Sequence, residues 1–169
     1  SLLRCIPRMS IRSCFAALAL AHVCVASAQT LDESELADLA ARPSIGLYKA
    51  YAEFKMARYD SARSIWEALA EKGVAEAWFH LGILAEDGLG EARDPGAALA
   101  RYRRAAEAGS AKAQYRLGLL HLEGRLVAQD RAQARYWLAV AAASGDDEAA
   151  RRLDALRREE APEGRVAAQ

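Results

Sequence analysis

The feature that most limits what this chain can fold into is an internal repeat. Residues 70–88 read AEKGVAEAWFHLGILAEDG and residues 106–124, thirty-six positions later, read AEAGSAKAQYRLGLLHLEG, identical at nine of nineteen places. A period of this length signals stacked supersecondary units, each of which buries its apolar face only against its neighbours. The composition, 53% hydrophobic with few aromatics and many alanines, favours helices over strands. The expected fold class is therefore all-α, a solenoid of antiparallel helix pairs.

Start and stop signals recur with the same period. Gly73, Gly109 and Gly145 each follow an alanine-rich helical stretch, where a left-handed residue ends a helix at least cost when it is glycine. Asp94 and Asp130, also one period apart, are placed to accept hydrogen bonds from the free amides of the following helix, and Pro95 suits a first helical position. Gly82 and Gly118 lie inside a helical pattern, at an intrinsic cost of roughly 1 kcal/mol relative to alanine. Together with Ala77/Ala113, Ala98/Ala134, Ala105/Ala141 and Ala106/Ala142 they predict close helix-on-helix contact.

The flanks complete the stack. Residues 29–43 read as a leading helix, with Thr30 and Glu33 spaced as a capping box and Pro43 as its end. Residues 47–73 read as a helical hairpin: Leu47, Tyr48, Tyr51 and Phe54 recur at helical spacing, and Asp60 is expected to cap a second helix carrying Ala62, Ile65, Trp66 and Leu69. Two full units follow at 74–110 and 111–146. Residues 147–160 repeat only a first helix, with Asp154 in the place of Gly82 and Gly118 and with Arg151, Arg152, Arg157 and Arg158 giving a polar outer side, as a terminal cap requires. Residues 161–169 read as a flexible tail.

The first 28 residues are expected to be a secretory signal. Arg4, Arg8 and Arg12 precede an apolar run from Cys14 to Val25 that ends in Ala26-Ser27-Ala28. A basic stretch, a short apolar core and a small-x-small site are its parts, and the run is short for a bilayer span. Met9 opens a more ordinary signal, so residues 1–8 are expected to be an artefact of start-site choice. The expected compartment is the bacterial periplasm or exterior, with a membrane-anchored form through an uncleaved segment as the alternative. All three cysteines, Cys5, Cys14 and Cys24, fall in this segment, so the remainder has no thiol for a disulfide, nucleophile or metal site. Removing its three arginines from 23 basic residues leaves 20 against 23 acidic, a net charge of −3, with no basic surplus to suggest nucleic acid.

The units AEAWFHLGILAEDGLGEARDPGAALARYRRAAEAG and AKAQYRLGLLHLEGRLVAQDRAQARYWLAVAAASG resemble Sel-one-like repeats, longer relatives of the tetratricopeptide repeat. The resemblance covers residues 75–145, and residues 48–73 are closer to a plain tetratricopeptide unit. Two departures concern the third unit: Leu126 stands where Gly90 stood, and the aromatic pair Tyr136-Trp137 is offset from Tyr102. The resemblance implies a right-handed superhelix whose inner face binds proteins or peptides, with no chemistry of its own.

A helical wheel places Ala77, Trp78, Leu81, Leu84 and Ala85 on the packed side of one first helix, and Glu76, Phe79, His80, Ile83 and Glu86 opposite. The corresponding face of the next first helix is Lys112, Tyr115, Arg116, Leu119 and Leu122. These ten residues are the expected groove, apolar groups interleaved with charges as peptide recognition requires. The competing reading has Phe79 and Tyr115, which are in phase, packing between repeats. His80 and His121 occupy different phases with no second ligand at helical spacing, so no metal site is expected. The serines lie in caps and turns without a histidine partner, so neither catalysis nor a cofactor is expected. The leading expectation is a non-catalytic adaptor or scaffold of the bacterial envelope binding a protein or peptide, without stable membrane insertion once the signal is removed. The alternative is a structural subunit of a larger complex, including self-association. An enzyme is the remaining reading: related secreted repeats are linked to β-lactam binding or hydrolysis, but those carry a cysteine pair in each repeat, and residues 29–169 have none.

Overall fold

The structure, a computed structural model, describes residues 31–160. The signal segment with its cysteines, the proposed cap Thr30 and the tail from residue 161 lie outside the described residues. Eight helices and no strands are present among them: α1 (Glu33–Ala41), α2 (Pro43–Lys55), α3 (Tyr59–Glu71), α4 (Ala75–Asp87), α5 (Pro95–Glu107), α6 (Ala111–Glu123), α7 (Arg131–Ala143) and α8 (Asp147–Glu160). None is long and apolar enough to cross a membrane. Each odd helix from α3 onward packs on the one before it to form a pair, and α4, α6 and α8 each pack on the second helix of the preceding pair. The arrangement is a helical-pair solenoid.

Helix ends follow the signals in the chain. Gly73, Gly109 and Gly145 adopt φ of +82°, +97° and +91°, the left-handed region where a side chain is strained. Asp94 accepts from the Ala97 amide at 2.9 Å and Asp130 from the Gln133 amide at 3.0 Å. Ser110 and Asp146 do the same for α6 and α8. Three boundaries differ from the reading above. The leading helix starts at Glu33 with Asp32 as its cap, because the Asp32 carboxylate reaches the Glu35 amide at 2.7 Å. Pro43 does not simply end that helix; it opens α2, which starts four residues earlier than expected, since a proline at the first position forfeits no hydrogen bond. Asp60 sits inside the first turn of α3 rather than capping it; Arg58 occupies the cap position.

The core is a run of three clusters that follows the stack. The first joins Leu39, Ala50, Ile65, Trp66, Leu69, Ala77, Leu81 and Leu84; the second, Ala85, Tyr102 and Leu117 with their alanines; the third, Leu138, Leu153 and Leu156. The glycines inside α4 and α6 make the pairs possible. A Cβ on Gly82 would lie 2.5 Å from Cε1 of Tyr102, and one on Gly118 would lie 2.8 Å from Cγ of Leu138.

The two long loops keep one backbone path despite the exchange of Gly90 for Leu126. Leu126 adopts φ +59° against +67° for Gly90. Asp94 and Asp130 donate their amides to Ala85 and His121 at 2.8 and 2.9 Å, one period apart. A leucine held left-handed costs on the order of 1 kcal/mol, and its side chain offsets this by packing on the second cluster.

Candidate protein-binding face

The first helices α2, α4, α6 and α8 form one row, and the expected groove residues lie on α4 and α6. The two helices are tied at their N-termini. Glu76 accepts from the Ser110 hydroxyl at 2.8 Å and from Lys112 Nζ at 3.3 Å. Ser110 in turn caps α6, so the charge pair is set by the same residue that starts the helix. Lys112 is exposed, and Arg116 and Leu119 are partly so.

One position of the repeat covers an aromatic ring in the preceding unit. His80 stacks on Trp66 with centroids 4.7 Å apart and planes 10° from parallel. Arg116, one period later, places its guanidinium over the Tyr102 ring at 5.9 Å. Burial holds the His80 imidazole well below the usual histidine pKa, down to about 4, so it is neutral near pH 7.

Several expected groove residues, partly buried, instead pack against the core clusters. Phe79 lies 5.7 Å from Tyr102 and packs, with Ile83, on the second cluster. Tyr115 and Leu122 pack on the third. The inter-repeat reading of Phe79 and Tyr115 describes what the structure has. Glu86 is a correction: at 5% exposure it faces no groove. Its carboxylate accepts from the Tyr102 hydroxyl at 2.7 Å, from Arg125 at 2.7 Å and from Arg116. Burial alone would raise its pKa; the bonds from Arg116, Tyr102 and Arg125 outweigh burial and hold it below the ordinary glutamate value. The wheel misplaces Glu86 because its partners belong to α5, α6 and the loop beyond.

The row also has an end that the periodicity did not single out. Tyr48 and Tyr51, expected in the apolar pattern of their helix, are 78% and 49% exposed, while Leu47 and Phe54 of the same pattern pack on the first cluster. Tyr51 reaches His80 with ring centroids 6.1 Å apart, so α2 continues the face of α4.

Residues 75–110 and 111–146 each match the family model of the Sel1 repeat. The two central units are Sel1 repeats. The Sel1 stack resembles a solved Sel1 repeat protein from Oxalobacter formigenes, with 28% identity and a TM-score of 0.60 over 73% of this chain. It also resembles a protective antigen of uropathogenic Escherichia coli with an SLR fold, with 32% identity and a TM-score of 0.58 over 69% of this chain. Both are longer proteins: the matches span 49% and 26% of their respective lengths. Among curated proteins no sequence matches significantly. Sel1 repeats are typically protein-interaction modules, generally non-catalytic.

Proposed function

We propose that this chain is a non-catalytic adaptor or scaffold of the bacterial cell envelope that holds a protein or peptide along its row of first helices. The observation that supports this reading is the joined face of α4 and α6, where the Glu76–Lys112 pair ties the helices and Arg116 and Leu119 stand partly open beside it. Mixed charge and apolar surface on a preformed row suits an extended or helical ligand. The envelope assignment rests on the basic, apolar and small-residue order of residues 1–28.

Crosslinking and mass spectrometry on the chain bound to envelope proteins test the location of binding. Crosslinks gathered at Lys112, and binding weakened by Lys112→Glu or Leu119→Asp, are the expected results. Contacts confined to α1 or α8, or to another copy of the chain, would replace the adaptor with a structural subunit. Fractionation tests the compartment: release with the periplasmic contents is expected, and a cytoplasmic chain with an intact N-terminus would overturn the assignment.

A further inference from the structure

The two ends of the described solenoid differ in chemistry. At one end α8 presents Arg151, Arg152, Arg157 and Arg158 to solvent, as a terminal cap should. At the other, the outer half of α2 carries apolar side chains. Of the five large hydrophobic residues that stand exposed among the described residues, Ile45, Tyr48 and Tyr51 lie on α2 and Met56 follows it. Steps of three residues turn a helix by about −60°, so Ile45, Tyr48 and Tyr51 form one oblique strip. Their open surface, on the order of 500 Å², matches the largest apolar patches of monomeric proteins, which are often functional.

The charges around the strip are positive on balance. Between Arg42 and Arg58 the cations are Arg42, Lys49, Lys55 and Arg58, and the one carboxylate is Glu53. Glu53 is buried on the inner side, paired with Lys49 at 2.9 Å and Arg58 at 3.4 Å. Asp38, across the start of α2, is paired with Arg42. The outer strip thus offers aromatic and aliphatic anchors beside an excess of cations, of which Lys55 is in no ion pair among the described residues.

We propose that this strip docks a short amphipathic segment of a partner protein, with apolar anchors seated on Tyr48 and its neighbours and a flanking acidic residue met by Lys55. The inference rests on the protein-binding reading above and adds the partner's chemistry and the end of the row where it is anchored. A second copy is a poor complement: an α2-to-α2 contact sets like charges together, and the strip is smaller than the roughly 800 Å² per partner of a stable protein interface. A membrane surface fits less well, because the strip turns through Tyr51 onto His80 of α4 and follows the row of helices.

The test is a random peptide library displayed on phage, selected on the full chain and counter-selected in parallel on Tyr48→Asp, on Lys55→Glu and on Lys112→Glu. Both α2 changes are at exposed positions, and circular dichroism checks that each variant is folded. Peptides lost on Tyr48→Asp and Lys55→Glu, rich in Asp and Glu beside Leu, Phe or Trp, with affinity reduced about tenfold or more by either change, are the expected result. Peptides lost only on Lys112→Glu would overturn docking at α2 while leaving the groove reading intact. Tyr48-dependent peptides without acidic residues would overturn the partner's chemistry. Flotation with phosphatidylglycerol vesicles, or sedimentation as a dimer, abolished by Tyr48→Asp would overturn the proposal in favour of a membrane or a second copy. A library yielding no competable binder would overturn both readings.

Discussion

The Tyr102 hydroxyl donates a 2.7 Å hydrogen bond to the Glu86 carboxylate in the interior of the stack, where Arg116 and Arg125 of the next unit also reach it. This joins one unit to the next by a buried charge with its partners supplied. Glu86→Gln keeps the shape and one acceptor but leaves two guanidinium groups without their anion. It is expected to destabilise the fold by about 2 kcal/mol, and Tyr102→Phe by about 1–2 kcal/mol. Urea unfolding checks both. The double change should cost less than the sum, since the two residues share one bond.

Gly82→Ala would set a methyl group against a tyrosine that is itself fully enclosed. Overpacking costs typically about 1–3 kcal/mol and the gain in helix propensity is about 1 kcal/mol, so a net loss of up to about 2 kcal/mol is expected. Gly96, in the first turn of α5, meets only Asp94 Oδ1 at 3.4 Å. Gly96→Ala should therefore stabilise by about 0.5 kcal/mol. Thermal unfolding of the two variants should move in opposite directions.

His80 links stability to pH. Its pKa falls from 6.5 to about 4 on folding because burial against Trp66 disfavours the imidazolium. The unfolded chain takes up the proton first, so stability is full above about pH 6.5 and declines as the pH falls toward 4, by up to about 3 kcal/mol before screening at its open edge. His121 is shifted the same way, also by burial. His80→Phe keeps a stacked ring without titration and should flatten this part of the profile, measured as unfolding free energy between pH 4 and 7. An unchanged slope would sink the assignment to His80.

Asp94→Ala removes the side-chain acceptor for the Ala97 amide at the start of α5. The expected loss is about 1 kcal/mol. Faster amide exchange should be confined to the first turn of α5, where the freed donors lie.

What could be read in the chain divides by range. Gly73, Gly109, Asp94 and Asp130 act on neighbours within a turn, and small residues such as Gly82 declare their purpose by recurring. The buried place of Glu86 depends on a tyrosine sixteen residues on and arginines thirty and thirty-nine residues on, distances at which helical periodicity is silent. A carboxylate on a wheel reads as solvent-facing unless its partners are known. Tyr48 failed in the opposite sense. Apolar spacing marks a residue as core, but whether a unit covers that side depends on its place in the stack.

The Glu86 bonds also give the two Sel1 units a fixed order. One period after Glu86 and Tyr102 stand Leu122 and Leu138, and one period before Arg116 stands His80. Exchanging the units would carry Arg116 and Arg125 away from their anion and set an imidazole against a leucine. Alike in backbone, the units are addressed to different neighbours, so the chain assembles in one sequence and resists slipping by a repeat.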